Sequence, residues 1–289
     1  MRKAVARPAK VLFVLLALVL LLGTSPASAA GTRLWLLRNS NSAGAPDITF
    51  EYGSARDPVG VGDFDGDVTP SDTAAVVRPN LATGNWQWLL RNSNSAGNPD
   101  ITFEYGSVST DIPVGGDWDG NGTDTVGVAR VDFATGSWNW LLRNTNSAGN
   151  PDINLYYGSV GSDVPFPGDW DGTGGDSVGV VRATRSSPYW TWLLRNANTA
   201  GNPDLTFQFG SIRTDIPLAG NWDGTGGDTA GVARVDTETG YWSWLLRNAS
   251  GAGSPDVPVF EYGSVRTDTP LVGDFDGDGA DSIGVARRT

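Results

Sequence analysis

Beyond its first thirty residues the chain alternates short apolar runs with clusters of Gly, Asn, Asp and Pro. Residues 113–117, 125–130, 137–144 and 153–157 are rich in Val, Trp, Tyr and Ile, and turn-forming residues separate them. Runs of this length lack a helical period, so they predict four strands joined by tight turns. The group then recurs. Trp35-Leu-Leu-Arg-Asn39 returns ending at Asn92, Asn144, Asn196 and Asn248, at offsets of 53, 52, 52 and 52 residues. Tyr52-Gly-Ser54 returns at Tyr105, Tyr157, Phe209 and Tyr262, and Asp63-x-Asp65-Gly at Asp117, Asp169, Asn221 and Asp274.

A four-stranded unit repeated at about fifty residues is the pattern of a β-propeller blade. The ends of the chain sharpen this expectation. Residues 34–39 and 48–52 supply only the third and fourth strands of a unit, and residues 270–274 and 282–287 only the first and second. The predicted fold is therefore all-β: a five-bladed β-propeller of four-stranded blades, closed by a two-plus-two strand clasp between the N- and C-termini. Closure removes the unpaired edges that an open array would expose. Residues 31–289 then form one domain, and a monomer is expected.

The twelve Trp occupy three repeat positions. Trp86, Trp138, Trp190 and Trp242 stand two residues before Trp88, Trp140, Trp192 and Trp244, and Trp35 completes the second set. That spacing places both sets on one face of the third strand. Blade-to-blade packing and sugar stacking are both open to such rings, and identical large aromatics in every unit favour packing. Trp118, Trp170 and Trp222 hold the third position, with Phe64 and Phe275 in the other two copies.

Residues 1–30 stand apart. Arg2, Lys3, Arg7 and Lys10 precede an apolar run over 11–22, and Ala27-Ser28-Ala29 follows. This is the order of a cleavable export signal, and the run is too short to cross a bilayer, so the protein is expected to be secreted to the extracellular space without membrane insertion. The remainder holds sixteen Arg, no Lys and no His against thirty-two acidic residues. A net charge of −16 repels phosphate backbones and anionic lipid, which argues against a nucleic-acid partner. The chain has no Cys, so its core must hold without disulfides.

The Asp-rich segments carry the candidate chemistry. In the second, Asp117, Asp119 and Asn121 alternate with other residues, Gly120 and Gly122 allow a tight curl, and Asp124 follows. Oxygens at positions one, three and five with a closing carboxylate suit a hard cation taking six to eight oxygen ligands, and calcium is the expected cofactor. Val128 stands where an EF-hand has its closing Glu. Asp-Gly and Asn-Gly pairs also make turns without a metal. The fifth set, Asp274, Asp276, Asp278 and Asp281, is the most complete. The first has Asp63, Asp65 and Asp67, then two extra residues before Asp72. In the third, Asp169, Asp171 and Asp176 accompany Thr173; in the fourth, Asn221 replaces the first Asp, and Asp223 and Asp228 accompany Thr225. Less ligand charge lowers affinity, so these two sets rank last.

Tyr105-Gly-Ser107, Gly116-Asp-Trp-Asp-Gly-Asn-Gly-Thr-Asp124 and Val126-Gly-Val-Ala-Arg130 together resemble the FG-GAP and VCBS-type repeat of integrin α-subunit propellers and many secreted bacterial proteins. The resemblance spans residues 31–289. It implies a propeller that binds calcium in the loop between the first and second strands of a blade. The family motif closes one residue later than Asp124 or Asp281 does, which leaves the closing ligand open.

Two further pieces repeat. The Arg of each Leu-Leu-Arg-Asn is placed to bridge to Asp47, Asp100, Asp152, Asp204 or Asp256 of the following Pro-Asp or its equivalent. Asn92-Ser-Asn-Ser-Ala-Gly-Asn-Pro-Asp100 recurs almost unchanged and reads as a structural turn or as one of five equal sugar sites. The connections 79–85, 131–137, 183–189 and 235–241 vary most between copies and emerge opposite the Asp loops. Phe133, Arg185, Tyr189 and Tyr241 are their candidate ligand-binding residues.

No His, no Cys nucleophile, no Gly-x-Ser-x-Gly elbow and no phosphate loop appear, and every acid pair lies in a metal-type loop, so no enzyme is expected. The expected function is a secreted calcium-binding module for adhesion to a glycan or an extracellular protein. The alternative is a calcium-stabilised structural or cell-envelope protein without a small ligand, and a glycan-active enzyme ranks below both.

Overall fold

A computed structural model describes residues 31–67 and 71–289; the expected export signal lies outside the described residues. Twenty strands follow in chain order: β1 (Thr32–Leu37), β2 (Ile48–Ser54), β3 (Val59–Gly62), β4 (Thr73–Asn80), β5 (Asn85–Leu90), β6 (Ile101–Ser107), β7 (Asp111–Gly116), β8 (Thr125–Asp132), β9 (Ser137–Leu142) and β10 (Ile153–Ser159). The second half holds β11 (Asp163–Pro165), β12 (Gly179–Arg182), β13 (Tyr189–Leu194), β14 (Leu205–Ser211), β15 (Asp215–Gly220), β16 (Thr229–Val235), β17 (Tyr241–Leu246), β18 (Phe260–Ser264), β19 (Asp268–Gly273) and β20 (Ser282–Arg288).

They form five antiparallel four-stranded sheets, the blades of a β-propeller. Strands β3 to β6, β7 to β10, β11 to β14 and β15 to β18 build the first four in order, and the fifth runs β19-β20-β1-β2. The expected clasp is thus present. β1 pairs with β20 from Leu37 opposite Gly284 to Arg33 opposite Arg288, and Arg38 N–H donates to Ile283 O at 2.9 Å. The third strand of a unit ends at Leu142 rather than 144, because the Arg143 side chain already turns into the loop beyond it. The first strand starts at Asp111 rather than 113, because Asp111 pairs across the ladder with Arg130.

The core lies between blades. Trp86, Trp88 and Leu90 of the first blade pack with Val126, Val128 and Leu141 of the second, and the other junctions follow this arrangement, except that the clasp blade contributes Trp35 and Leu37 without a second Trp. Trp35, Trp88, Trp140, Trp192 and Trp244 are completely buried, and each indole N–H reaches the carbonyl of the residue before the Gly of Tyr-Gly-Ser or Phe-Gly-Ser. The other set crosses the junction: Trp86, Trp138, Trp190 and Trp242 donate to the carbonyls of Asp111, Asp163, Asp215 and Asp268 in the next blade. In the clasp blade Arg33 takes this place and donates to Asp57 O at 3.1 Å. The Trp rings are therefore packing elements, and burial removes all but the partly exposed Trp190 from sugar stacking.

Tyr-Gly-Ser marks a break in register between the third and fourth strands of each blade. Gly158 there has φ +85°, and a Cβ on it would stand 2.6 Å from Val180 Cγ1 of the next blade. Gly158→Ala is expected to lower stability by about 3 kcal/mol, the upper end for a side chain forced into that region, because the clash adds to the backbone strain. Chemical denaturation reads this directly, and a loss under about 1 kcal/mol would show that the junction yields.

Two rings of ion pairs complete the scaffold. The expected bridges are present: Arg38, Arg91 and Arg195 hold Asp47, Asp100 and Asp204 at 2.9, 2.8 and 2.8 Å, and Arg143 and Arg247 lie 3.5 and 4.0 Å from Asp152 and Asp256. Each polar loop winds around its Arg. Arg91, for example, also donates to Asn98 O, Ser93 Oγ and Ser95 Oγ, so these polar groups turn inward as a structural turn requires.

The second ring joins Arg78, Arg130, Arg182, Arg234 and Arg287 to Asp57, Asp111, Asp163, Asp215 and Asp268. Burial would push the Asp163 carboxyl up, but the Arg182 fork, the Ser159 N–H and the Ser162 hydroxyl hold it below the ordinary carboxylate value. Asp268 is held down in the same way by Arg287, Ser264 and Thr267. A lowered folded value means that the stabilisation is complete above the unfolded value of about 3.9 and is lost as pH falls through the folded one. Arg182→Ala leaves a buried carboxylate without its counter-charge and is expected to cost about 3 kcal/mol at pH 7. Carboxyl NMR titration should place Asp163 below about 3.9 in the native protein and above it in the variant. An unmoved midpoint would deny the pairing its role.

Candidate metal centre

The five Asp-rich loops connect the first and second strands of each blade and meet in a ring on one face. A Cβ on Gly175 would stand 3.5 Å from Gly120 Cα of the loop before it, and one on Gly224 would stand 3.5 Å from Gly279 O. Within each loop the aromatic at position two points into the core, where Phe64, Trp118, Trp170, Trp222 and Phe275 are all buried. The alternation sends the position-three Asp the other way, to the surface: Asp65, Asp119, Asp171, Asp223 and Asp276 are exposed.

The loops are unequal in geometry as well as in sequence. In the fifth, Asp274, Asp276 and Asp278 each bring one carboxylate oxygen within 4.8 Å of the others, and among the described residues this is the triad of acids that does so. The buried Asp274 carboxylate also accepts the N–H groups of Gly277, Asp278 and Gly279, at 2.8, 3.1 and 2.8 Å, which curls the chain into a cup. Burial, with Asp281 nearby and against the Gly279 N–H, pushes Asp274 up to about 7. Burial and then Asp278 raise Asp276. A hard cation relieves this crowding of negative charge, and three carboxylate oxygens suit calcium.

In the first loop Asp63 accepts from Gly66 N–H at 3.0 Å, its Oδ2 is buried without a hydrogen-bond partner, and burial with Asp65 and Asp67 nearby pushes it up to about 7 against that N–H. In the second, Asp117 accepts from Asn121 and Gly122, while Asn121 Oδ1 accepts from Thr123 N–H. Asp119 stands exposed beside them. In the third and fourth loops the Thr at position five acts as a donor: Thr173 and Thr225 hydroxyls each reach Oδ1 of Asp171 and Asp223 at 2.7 Å. A hydroxyl hydrogen pointed at the carboxylate satisfies it internally. Asp169 is likewise held by the N–H groups of Gly172, Thr173 and Gly174.

The closing residues do something that spacing along the loop does not show. Asp72, Asp124, Asp176, Asp228 and Asp281 each turn Oδ2 to the neighbouring blade, where it accepts the N–H of Asp274, Asp63, Asp117, Asp169 and Asn221 at 3.0, 2.9, 2.9, 3.0 and 2.7 Å. The backbone returns the contact: the N–H of each closing residue donates to the carbonyl of that same partner, at 2.6 to 2.9 Å. Ten hydrogen bonds thus clamp five loops into a ring. The Gly before each first residue makes room; a Cβ on Gly116, Gly168 or Gly273 would stand 2.6, 2.7 or 2.6 Å from the incoming Oδ2. The clamp uses only the backbone of the first residue, which is why Asn221 serves there. One signal was available in the sequence: the closing Asp persists in all five copies, including those where the other ligand positions change.

On the opposite face the four variable connections carry exposed apolar side chains. Phe133, Tyr189 and Tyr241 are 85%, 53% and 51% exposed, Arg185 is exposed beside Tyr189, and Leu81, absent from the sequence-based candidates, is 75% exposed. Leu81 occupies the repeat position of Phe133, so the same alignment points to it.

No protein-family model matches this chain, and no curated protein or solved structure does so either. The resemblance to FG-GAP and VCBS-type repeats rests on the repeat motifs themselves, while the five-bladed propeller stands on the strand topology.

Proposed function

We propose that this protein is an exported β-propeller of the FG-GAP and VCBS type that binds calcium on its Asp-loop face and a glycan or an extracellular protein on the other. The observation that carries the proposal is the convergence of Asp274, Asp276 and Asp278 in the clasp blade. The distribution of charge supports it. Ten Arg are committed to ten Asp in the two scaffold rings. Of residues 31–289, six Arg and six acids outside the loops then match in number, and sixteen Asp lie in the loops. The whole excess of negative charge therefore sits on one face, which draws cations to it.

The opposite face supports the binding role, because it exposes the aromatic Phe133, Tyr189 and Tyr241, the planar cation of Arg185 and the aliphatic Leu81, which differ from blade to blade, as recognition of one partner requires. The inward-turned polar loops favour a second reading, a calcium-stabilised structural protein with no small ligand. A glycan array with the purified protein separates the two. Binding of a defined sugar that Tyr189→Ala with Tyr241→Ala weakens tenfold or more supports recognition on that face. Absence of any sugar, together with absence of a polypeptide cross-linked through it, would leave only the structural reading.

A further inference from the structure

Of the six Arg in residues 31–289 that stand outside the two scaffold rings, Arg33 is buried, and Arg56, Arg185, Arg213, Arg266 and Arg288 are exposed. Among the described residues none of these five enters an ion pair, whereas all ten Arg of the rings do. The repeat shows where they gather. Arg56, Arg213 and Arg266 each stand two residues after the Ser of Tyr-Gly-Ser or Phe-Gly-Ser, in the connection from one blade to the next, and Ser109 and Gly161 hold that place in the other two copies. The free cations are thus confined to the side of the ring that runs from the third blade to the clasp, on the face opposite the Asp loops.

Backbone hydrogen bonds join that side into a continuous arc. Ile212 N–H donates to Pro188 O at 2.9 Å, which sets Arg213 beside the connection that carries Arg185 and Tyr189. Val235 N–H reaches Thr214 O at 2.9 Å, and Val265 N–H reaches Gly240 O at 3.1 Å, so Tyr241 comes next along the arc and Arg266 after it. Arg288 N–H then donates to Thr267 O at 3.0 Å. Beyond it Thr289 N–H reaches Thr32 O at 3.1 Å, and Ala55 N–H reaches Gly31 O at 2.6 Å, which places Arg56 at the end of the series. The acids on the same stretch are Glu51, Asp236, Glu238 and Glu261. Asp236 caps its own turn through the N–H groups of Glu238 and Thr239, and Glu261 accepts the Thr239 hydroxyl at 2.7 Å. With two of the four acids so engaged, the five guanidinium groups dominate the arc.

We propose that this arc binds an acidic polysaccharide, one whose pyranose rings carry carboxylates. The assignment rests on the reading of this face as a glycan-binding surface and names the class of glycan. A planar guanidinium grips a carboxylate through two parallel N–H bonds, and a half-exposed Tyr offers a flat apolar ring with a polar tip. The order Arg185, Tyr189, Arg213, Tyr241, Arg266 along the arc suits a polymer in which every sugar presents both a flat face and an anion. The acidity of the protein as a whole does not prevent this. Its loop Asp lie at the other ends of the strands, and a six-residue strand such as β15 spans roughly 20 Å. At physiological ionic strength charges are largely screened beyond about 8 Å, so the nearby Arg decide what approaches.

The test is titration calorimetry of the purified protein with polygalacturonate, with alginate and with fully methyl-esterified polygalacturonate, whose carboxylates are capped. Chelator is present, so that calcium cannot bridge a polymer to the Asp loops, and the temperature stays below the melting point of the metal-free protein. At least one of the two acidic polymers should bind, with an affinity that falls as salt is added, and the ester should bind at least tenfold more weakly. Arg213→Gln with Arg266→Gln should weaken the acidic polymer tenfold or more at an unchanged melting temperature, because both side chains are exposed and outside the ion pairs of the scaffold. Leu81→Ala with Phe133→Ala, in the first and second blades, should leave the affinity unchanged. Equal binding of acid and ester, or undiminished binding by the Arg213 and Arg266 variant, overturns the proposal. If neither acidic polymer binds while a neutral sugar does, the acidic class falls and the reading of this face as a glycan surface stands. If no sugar of either kind binds, both fall.

Discussion

Removal of residues 270–289 is expected to turn a cooperatively melting protein into a species that aggregates. Those residues supply four of the six residues of β19 and the whole of β20, the inner half of the fifth blade. Their loss uncovers the edge of β1 along its ladder from Arg33 to Leu37 and removes the buried Leu271, Val272, Phe275, Ile283, Val285 and Ala286 from two junctions. At about 1.5 to 3 kcal/mol for each fully buried large aliphatic or aromatic side chain, the lost burial is on the order of 10 kcal/mol. That is comparable with the entire net stability of a domain. The truncation also opens the loop clamp at Asp274 and Asp281, so two of five blade contacts on that face disappear. An exposed strand edge beside an uncovered apolar flank is a template for association. Size-exclusion chromatography and thermal melting check the outcome: a truncated chain that stays monomeric with an unchanged melting temperature would refute closure as the source of stability.

Millimolar calcium is expected to raise the melting temperature, and chelation to reverse it. Extracellular calcium sites bind at about 0.1 to 1 mM. One such site contributes about 1.4 kcal/mol at a tenfold excess over its dissociation constant and about 2.7 kcal/mol at a hundredfold excess. At about 2 to 4 °C per kcal/mol for a domain of somewhat smaller size, the shift is roughly 3 to 10 °C. The fifth loop should dominate it. Asp276 belongs to the convergent triad in the clasp blade, so an ion there holds the C-terminal strands to the ring. Asp223, by contrast, already accepts both the N–H and the hydroxyl of Thr225, and Asn221 supplies no charge at position one. Asp276→Ala should therefore remove more of the calcium-induced rise than Asp223→Ala. Coincident melts with and without chelator, or the opposite order of the two variants, would contradict the assignment.

Much of the scaffold was legible because it is written in local terms. Period-two alternation with Gly and Asn turns identifies strands without knowledge of the fold, and the offsets of Trp-Leu-Leu-Arg-Asn reveal five units before any contact is known. The half-units at the two ends then leave few ways to satisfy every strand edge, and the clasp follows. The bridge from Arg91 to Asp100 was equally readable, since the two lie nine residues apart across a single loop. The ring from Arg130 to Asp111 was missed although both residues recur in every copy, because the pair spans a ladder whose register only the folded blade reveals. Arg33 in place of a Trp was missed for a related reason: a guanidinium replaces an indole N–H only where the acceptor of the next blade is already in place.

The sequence by itself determined the strands, the number of blades and the clasp, and it singled out the fifth loop, whose acids converge, since each depends on residue type and spacing along the chain. Only the tertiary structure decided where the closing carboxylates point. Asp124 lies seven residues from Asp117, a spacing equally suited to completing its own loop, yet its Oδ2 reaches Asp63 of the preceding blade. The direction is set by how two twisted sheets meet at the axis. There the Gly before each first residue lets a neighbouring side chain approach, and a backbone N–H with no partner in its own blade awaits an acceptor. Such a contact joins residues about sixty positions apart, so no motif within one repeat records it.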